Sequence, residues 1–372
     1  MHALDRLCAI AGRGTATDAE RRAAVWLASE LERRGHEAWL DTYWLRPRWA
    51  TAVAVGSLLA AAGSLVAASV PLAGVIAASA AGLGLAIEAA GRSGPLRLLS
   101  RRRATQNVVA LPQSGERVTL VICAPYTAPR RGLVLNDRWR AATVRLGDAR
   151  AWLAGAAALV AATSAVRLAG DDGLWVGIVQ LIPTVVLIAA TAAAIDIALS
   201  DLSPGADTAS AAATALALHE ELLRDLPAEL DVGLVLYGAA DAGSRTLRAQ
   251  LRREGADARR TVVLELGPCT GGTPAWRARH HQLRGAAERA NAALGLAAPR
   301  RRPRPSRVRR LPAIRIACLD PRGIVARSHQ PDDTAPNADP TAPTAALDLA
   351  LAVTDALDAE LAERTTPVGS PR

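Results

Sequence analysis

The sequence has 372 residues and contains no lysine, no phenylalanine and only one methionine, with 3% aromatic residues. Its 44 Lys and Arg positions are therefore all arginine, and its hydrophobic half is aliphatic, chiefly alanine. Lysine and phenylalanine have AT-rich codons, so their joint absence is explained first by a GC-rich coding sequence and only second by a functional requirement. The hydrophobic content, with 21% charged residues, excludes a disordered chain and a collagen-like one. The length predicts two or three domains.

Cysteine is scarce and scattered, at Cys8, Cys123, Cys269 and Cys318. Without a CxxC pair, the spacing excludes a zinc knuckle and a disulfide framework, and it indicates reduced thiols. The first ten residues have no apolar core followed by a cleavage site, so no export signal is expected. Both features favour a cytoplasmic location for the polar parts of the chain.

Long hydrophobic runs come in two pairs. Residues 49–91 carry one charged side chain, Glu88, and Pro71 divides them into two spans of about 21 residues, enough to cross roughly 30 Å of hydrocarbon. The second pair covers 151–166 and 174–195, and its first, shorter member could instead be a buried core helix. The sequence therefore predicts two transmembrane hairpins. Small residues that favour close packing of such helices are Ser57, Gly63, Ser64, Gly82 and Gly84.

Arginine predicts the orientation of these spans. Arginines flank the outer ends of both hairpins, whereas the loop of the second hairpin holds only Arg167, opposed by Asp171 and Asp172. The positive-inside rule then predicts a multi-pass cell-membrane protein whose α/β domain lies on the cytoplasmic side. The flanking arginines are Arg46, Arg48, Arg92, Arg97, Arg101 to Arg103, Arg138, Arg140, Arg145 and Arg150. The predicted segments are α/β parts 1–48, 92–150 and 198–364, hairpins 49–91 and 151–197, and a flexible tail 365–372.

The polar segments alternate between strand-like and helix-like patterns. This alternation predicts an α/β domain with a mixed, mostly parallel sheet covered by helices on both faces, in which ligand groups gather at the carboxyl ends of strands. The expected strands are 36–44, 107–111, 117–123, 231–237, 261–266 and 312–318. The expected helices are 17–34, 207–224, 244–254, 281–294 and 341–363, the first opened by a capping box at Thr17 to Glu20.

The strand ends carry an ordered set of motifs. In chain order these are Ala124-Pro125-Tyr126-Thr127, Ser203-Pro204-Gly205-Ala206-Asp207-Thr208-Ala209-Ser210, Gly238-Ala239-Ala240-Asp241, Gly267-Pro268-Cys269 and Ser328-His329-Gln330-Pro331-Asp332-Asp333-Thr334. This order resembles that of the zinc-dependent aminopeptidases of the bacterial leucyl aminopeptidase type (peptidase family M-twenty-eight). The resemblance extends over essentially all the residues outside the hydrophobic runs.

The resemblance implies a remnant metal site. Asp207 would match the carboxylate that bridges two zinc ions, Asp241 the second Glu of a Glu-Glu pair, and His329 the last imidazole ligand. Together they would hold one zinc ion at most, with an open position for water. Taken alone, Asp207 is more readily explained as a helix cap and His329 as part of a solvated loop, and Asp241 alone indicates nothing.

Four positions depart from the family pattern. Pro125 and Thr127 stand where the family has a ligand His and the Asp that orients it, and Gly267 stands nearest to the last ligand Asp. Ala240 replaces the Glu that acts as general base, a loss that typically costs about 10²- to 10⁴-fold in rate. A non-catalytic binding or scaffold protein is therefore the favoured function. The alternative is an active single-zinc metallo-aminopeptidase, with water activated by the metal alone or by Glu265.

A basic segment, Arg300 to Arg310, holds seven arginines interleaved with two prolines. Its charge density suits anionic lipid, although a solvated loop without a partner remains open. Nucleic acid is not favoured, because no aromatic residue interleaves the arginines. The lipid bilayer itself is the expected partner, and the adjacent His280 and His281 fit a surface pair.

Overall fold

The computed structural model describes residues 2–92, 94–112, 117–242, 244–299, 301–306, 308 and 310–365, with the side chains of 143–146, 242 and 365 left out. Most of the predicted tail, 366–372, and Arg300, Arg307 and Arg309 of the basic segment lie outside the described residues. The chain divides into two compact units. Unit 1 is Met1–Tyr43, Ala104–Pro129 and Leu202–Arg372, and unit 2 is Trp44–Arg103 and Arg130–Asp201.

A seven-stranded sheet has the order β1-β2-β4-β3-β5-β7-β6. Four neighbouring strands, β4, β3, β5 and β7, are parallel, while β2 and β6 pair antiparallel with β4 and β7. The mixed, mostly parallel sheet that the alternation predicted is therefore confirmed. The strands are β1 (Trp39–Leu45), β2 (Arg103–Ala110), β3 (Val118–Pro125), β4 (Leu230–Tyr237), β5 (Thr261–Leu266), β6 (Thr273–Ala278) and β7 (Ala313–Leu319).

Helices account for most of the remaining described residues. They are α1 (His2–Ala9), α2 (Asp18–Arg33), α3 (Trp49–Val66), α4 (Pro71–Ala89), α5 (Asp137–Leu146), α6 (Ala149–Leu168), α7 (Leu174–Leu199), α8 (Ala206–Arg224), α9 (Arg245–Arg253), α10 (His281–Ala293) and α11 (Thr341–Thr365). The sequence analysis did not predict α1, α5 or β6, and it placed the other ends within a few residues.

The sheet has a hydrophobic cluster on each face, because side chains of successive strand residues point in opposite directions. Ile122 and Leu264 belong to the larger cluster, which also takes in buried residues of α1, α2, α8, α10 and α11. Cys123 and Val263, their neighbours in sequence, belong to the smaller cluster with Leu247 and Leu251 of α9. Helices thus cover both faces of the sheet, as predicted.

Unit 2 contains the four apolar helices. α3, α4, α6 and α7 are each long and apolar enough to cross a membrane, so the four predicted hydrophobic helices are confirmed, and insertion itself stays a prediction. α6 has 20 residues, more than its hydrophobic run alone suggested. At the α3–α4 contact, a Cβ on Gly74 would lie 2.4 Å from the Cβ of Ala67 and 2.8 Å from the carbonyl oxygen of Gly63. These glycines therefore allow the close backbone approach expected of membrane hairpins.

Polar contacts also join the apolar helices. The Gln180 amide on α7 donates 2.8 and 2.9 Å bonds to the backbone oxygen and hydroxyl of Ser64 on α3, and that hydroxyl lies 2.6 Å from the Thr184 hydroxyl. Near the end of α4, Glu88 and Arg97 form a bidentate ion pair with both side chains fully buried. Arg97 is therefore not a free flanking charge, although it was counted as one in predicting the orientation.

Candidate functional site

Thr127 and Ala240, two of the four positions that depart from the aminopeptidase pattern, meet at the carboxyl edge of the parallel strands. Pro125 is the last residue of β3 and lies in register with Tyr237, the last residue of β4. Just beyond, the buried Thr127 hydroxyl accepts a 3.1 Å hydrogen bond from the backbone N–H of Ala240. Thus, at the two positions where the resemblance implies a ligand's partner and a general base, this chain has a threonine whose hydroxyl accepts a bond from an alanine N–H.

Gly267 has no room for a longer side chain. It follows β5 directly, and its N–H donates a 2.7 Å bond to the carbonyl of Ile316. A Cβ at this position would lie 2.9 Å from the Cβ of Ala317. A carboxylate there would therefore require the neighbouring strand to shift.

Asp207 lies in the first turn of α8 and is 2% exposed. It is not the N-cap residue, because that place is taken by Gly205 with a left-handed φ of 79°. Its carboxylate accepts a 2.5 Å bond from the Ser328 hydroxyl and a 2.6 Å bond from the Thr208 N–H. The side chain thus fastens the start of α8 to the loop that carries His329.

Asp333 forms the second half of a carboxyl pair with Asp207. It is 1% exposed and accepts a 3.0 Å bond from the backbone N–H of Asp207. Burial, and next the nearby charge of Asp207, raise the pKa of Asp333 to about 9. The raised pKa favours a protonated Asp333 carboxyl at neutral pH, and a protonated carboxyl can donate a hydrogen bond.

Arg13 supplies a positive charge to the same cluster. Its guanidinium is fully buried, and Nη2 donates a 2.8 Å bond to the carbonyl of Gly205. Burial lowers the pKa of Arg13, while the nearby Asp207 carboxylate favours its charged form. Nε and Nη1 have no hydrogen-bond partner among the described residues. We call Arg13, Asp207 and Asp333 the ionic cluster.

Asp241 lies in a different contact network from Asp207. It follows β4 in a short 3₁₀ turn, Ala240–Ala242, and accepts a hydrogen bond from the Thr15 hydroxyl. Beside it the fully buried Glu20 accepts hydrogen bonds from the Thr105 hydroxyl and the Ala16 N–H. Burial raises the pKa of Glu20 to about 7, and the charge of Asp241 contributes to the same direction. A second buried carboxyl therefore adjoins this strand end.

His329 is half-buried in the loop between β7 and α11 and has a left-handed φ of 66°. A non-glycine residue in this conformation is uncommon, so the loop is locally constrained. Among the described residues, no three His, Cys, Asp or Glu side chains are grouped so that they could hold a metal ion. Whether Asp207, Asp241 and His329 bind zinc stays a prediction.

Glu265 points to the opposite face of the sheet from α8. Its neighbours Leu264 and Leu266 belong to the larger cluster with α8, so strand alternation turns the Glu265 side chain the other way. There its Oε1 accepts a 3.0 Å bond from the Tyr237 hydroxyl and lies 3.4 Å from Arg315 Nη1. This geometry does not favour Glu265 as a base for chemistry beside Asp207.

Sequence reasoning missed Arg13 and gave Glu20 and Asp333 no site role. Arg13 lies in a Gly-rich turn, which is typical of an exposed loop, and its burial depends on contacts made 192 residues later. Glu20 matched a capping box, and Thr17 does accept the Glu20 N–H at 3.1 Å. The one available signal for Asp333 was the Asp-Asp pair that follows His329.

No protein-family model matches the sequence, and no curated protein matches it either. Solved structures do resemble it. A zinc aminopeptidase from Bacillus subtilis has a TM-score of 0.56 at 11% identity, covering 95% of this chain and 93% of that one. A glutaminyl cyclase from Fimbriiglobus ruber has a TM-score of 0.53 at 12% identity, covering 96% and 93%.

A Zn-dependent exopeptidase from Parabacteroides distasonis likewise has a TM-score of 0.53 at 12% identity, covering 96% of this chain and 95% of that one. Identities this low establish the fold alone. The chain is therefore a mixed α/β protein with the fold shared by zinc aminopeptidases and glutaminyl cyclases, and the order of its strand-end motifs had predicted the aminopeptidase likeness.

Proposed function

We propose that this chain is a multi-pass membrane protein whose zinc-exopeptidase-like domain binds a ligand or partner without hydrolysing peptides. The observation that carries the proposal is the ionic cluster. The carboxylate that the resemblance assigns to a bridging metal position, Asp207, shares its site with a buried guanidinium and a second, protonated carboxyl.

The residues at this site do not fit zinc. Both oxygens of Asp207 already accept hydrogen bonds, and the guanidinium of Arg13 would repel a divalent cation brought close to the same carboxylate. Pro125 and Gly267 offer no side-chain donor atom. The guanidinium of Arg13 therefore supplies, beside Asp207, the positive charge that a metal ion would otherwise supply.

The environment of the missing base also favours a non-catalytic role. Ala240 has no proton-accepting side chain, and its backbone N–H is bonded to Thr127. Glu265, the nearest other carboxylate on the parallel strands, is paired with Arg315 on the far face of the sheet. With no positioned base, peptide hydrolysis would be slower by about 10²- to 10⁴-fold.

The membrane part of the proposal rests on the four apolar helices of unit 2. Because each hairpin crosses twice, the chain would return to its starting side, and the stretches of unit 1 could fold together there. The arginines around the spans favour the cytoplasmic side. Periplasmic and cytoplasmic reporter fusions after residues 45 and 172 would test this arrangement.

Metal content and peptidase activity test the proposed function directly. The full chain, purified in an uncharged detergent without chelators, should contain no stoichiometric zinc and should release no amino acid from aminoacyl fluorogenic substrates, even with zinc added. Comparing the metal content of Asp207→Asn with that of Asp332→Asn distinguishes a specific metal site from non-specific binding, since Asp332 is exposed. In the proposed state neither variant changes metal content.

The opposite outcome would establish the single-zinc aminopeptidase. Stoichiometric zinc, together with amino acid release that His329→Ala abolishes and Asp332→Asn preserves, would overturn the non-catalytic proposal. Zinc that Asp207→Asn removes, without any hydrolysis, would overturn the conclusion that the ionic cluster excludes the metal.

A further inference from the structure

Unit 1 contains a cavity of about 270 Å³ at the opposite end of the sheet from the candidate functional site. It lies where β5 and β7 begin and the antiparallel β6 ends, and it is lined in part by Ala258 and Ala313. The candidate site lies at the carboxyl ends of the parallel strands. The cavity is therefore a separate place on the molecule, independent of any peptidase ancestry.

The cavity is strongly basic. Arg277, Arg279 and Arg310 line it together with His280, and none of the described residues that line it is acidic. All three arginines are exposed to solvent at the cavity. Among the described residues, the three lining arginines form no ion pair. Three arginine charges that line one cavity, without an acidic residue among its described lining, create a local field that attracts anions.

A helix terminus adds to the same positive field. α10 begins at His281, and its N-cap residue, His280, lines the cavity. The His280 side chain makes no capping hydrogen bond, and the first turn of α10 carries no acidic residue. The partial positive charge of the helix is therefore not compensated by the helix itself.

We propose that this cavity binds a phosphate group, carried by a phospholipid headgroup or by a small soluble phosphate ester. Guanidinium groups match phosphate oxygens through paired hydrogen bonds, which makes arginine the preferred residue for such a ligand. The volume lies just below the range of about 300–1,000 Å³ typical of small-molecule pockets, so it suits a phosphate with a small substituent. Leu311 and Pro312 would contact that substituent.

Calorimetric titration of the full chain in an uncharged detergent tests the proposal. The probes are inorganic phosphate and pyrophosphate at constant ionic strength, and short-chain phosphatidylglycerol compared with short-chain phosphatidylcholine. We expect saturable binding of at least one phosphate probe. The double variant Arg277→Gln/Arg310→Gln should bind it at least about tenfold more weakly, because two charge-assisted hydrogen bonds to the phosphate oxygens would be lost.

Arg252→Gln is the matched control, since Arg252 is an exposed arginine on α9 outside the cavity, and it should bind like the wild type. If the double variant does not fold, Arg279→Gln serves in its place. Binding of the inorganic probes assigns the site to a soluble ester, and binding of phosphatidylglycerol alone assigns it to a lipid. Absence of saturable binding, equal binding of phosphatidylcholine, or equal weakening in Arg252→Gln would overturn the proposal.

Discussion

Replacing Glu20 with glutamine should remove a loss of stability that the wild type shows as the pH rises. The stability of the variant, measured relative to the wild type, should therefore be higher in alkaline than in acidic solution. Glu20 is fully buried, and burial raises its pKa from the usual 4.5 to about 7. A carboxyl whose folded-state pKa is raised contributes stability below its unfolded pKa and loses it as the pH rises through about 7. Each pKa unit corresponds to about 1.4 kcal/mol, so the loss amounts to about 3 kcal/mol.

Glutamine does not titrate, so the variant should not lose this stability, whatever constant cost its amide group adds. Chemical denaturation of the full chain in detergent, repeated from about pH 4 to about pH 8, measures the difference in unfolding free energy. The gap between variant and wild type should shift in favour of the variant by about 3 kcal/mol over this range. Glu32→Gln, an exposed position on the same helix, is the control. Parallel pH profiles for Glu20→Gln and wild type would refute the reasoning.

Three further predictions concern other parts of the molecule. Asp333→Asn should remove the loss of thermal stability that the wild type shows as the pH rises through about 9, because burial and its carboxylate neighbour raise the pKa of Asp333 to about 9. Glu88→Leu leaves a buried guanidinium without its partner and should cost about 3–5 kcal/mol, whereas Glu88→Leu/Arg97→Met should recover most of this in denaturation experiments. Gly272→Ala should lower the unfolding midpoint more than Gly255→Ala does. Both glycines have a left-handed φ, but only at Gly272 would the Cβ meet backbone, at 2.2 Å.

Most of the fold follows from local patterns in the sequence. The four apolar helices were predicted because an apolar run of that length has few alternatives. The parallel strands were predicted because short β-branched and leucine-rich runs alternate with amphipathic stretches. β6 was missed because Thr273–Ala278 is short and contains Pro274, and it forms a strand only through its pairing with β7. α1 is a single short helix of 8 residues, held by burial of Leu4 and Leu7.

The candidate site was predictable only in part. The helix start around Asp207 and the loop with His329 follow from motifs that stand together in the sequence. The positive charge near Asp207 does not follow from such a motif, because Arg13 is held there by a hydrogen bond to Gly205, 192 residues away in the chain. Glu20 likewise contacts Thr105, 85 residues away. Long-range contacts of this kind leave no local pattern, and they decide which ion the carboxylates face.

The contact between Ser64 and Gln180 also bears on how the protein is made. These two residues lie 116 positions apart, so ribosomes translating about 5–20 residues per second would need on the order of ten seconds to supply the second partner. In the proposed membrane arrangement, the first hairpin would be in the bilayer during that time, before Gln180 is available to bond to the Ser64 hydroxyl. A variant without the Gln180 amide would prolong this immature state, so its first effect would be on the yield of newly made protein rather than on the finished molecule.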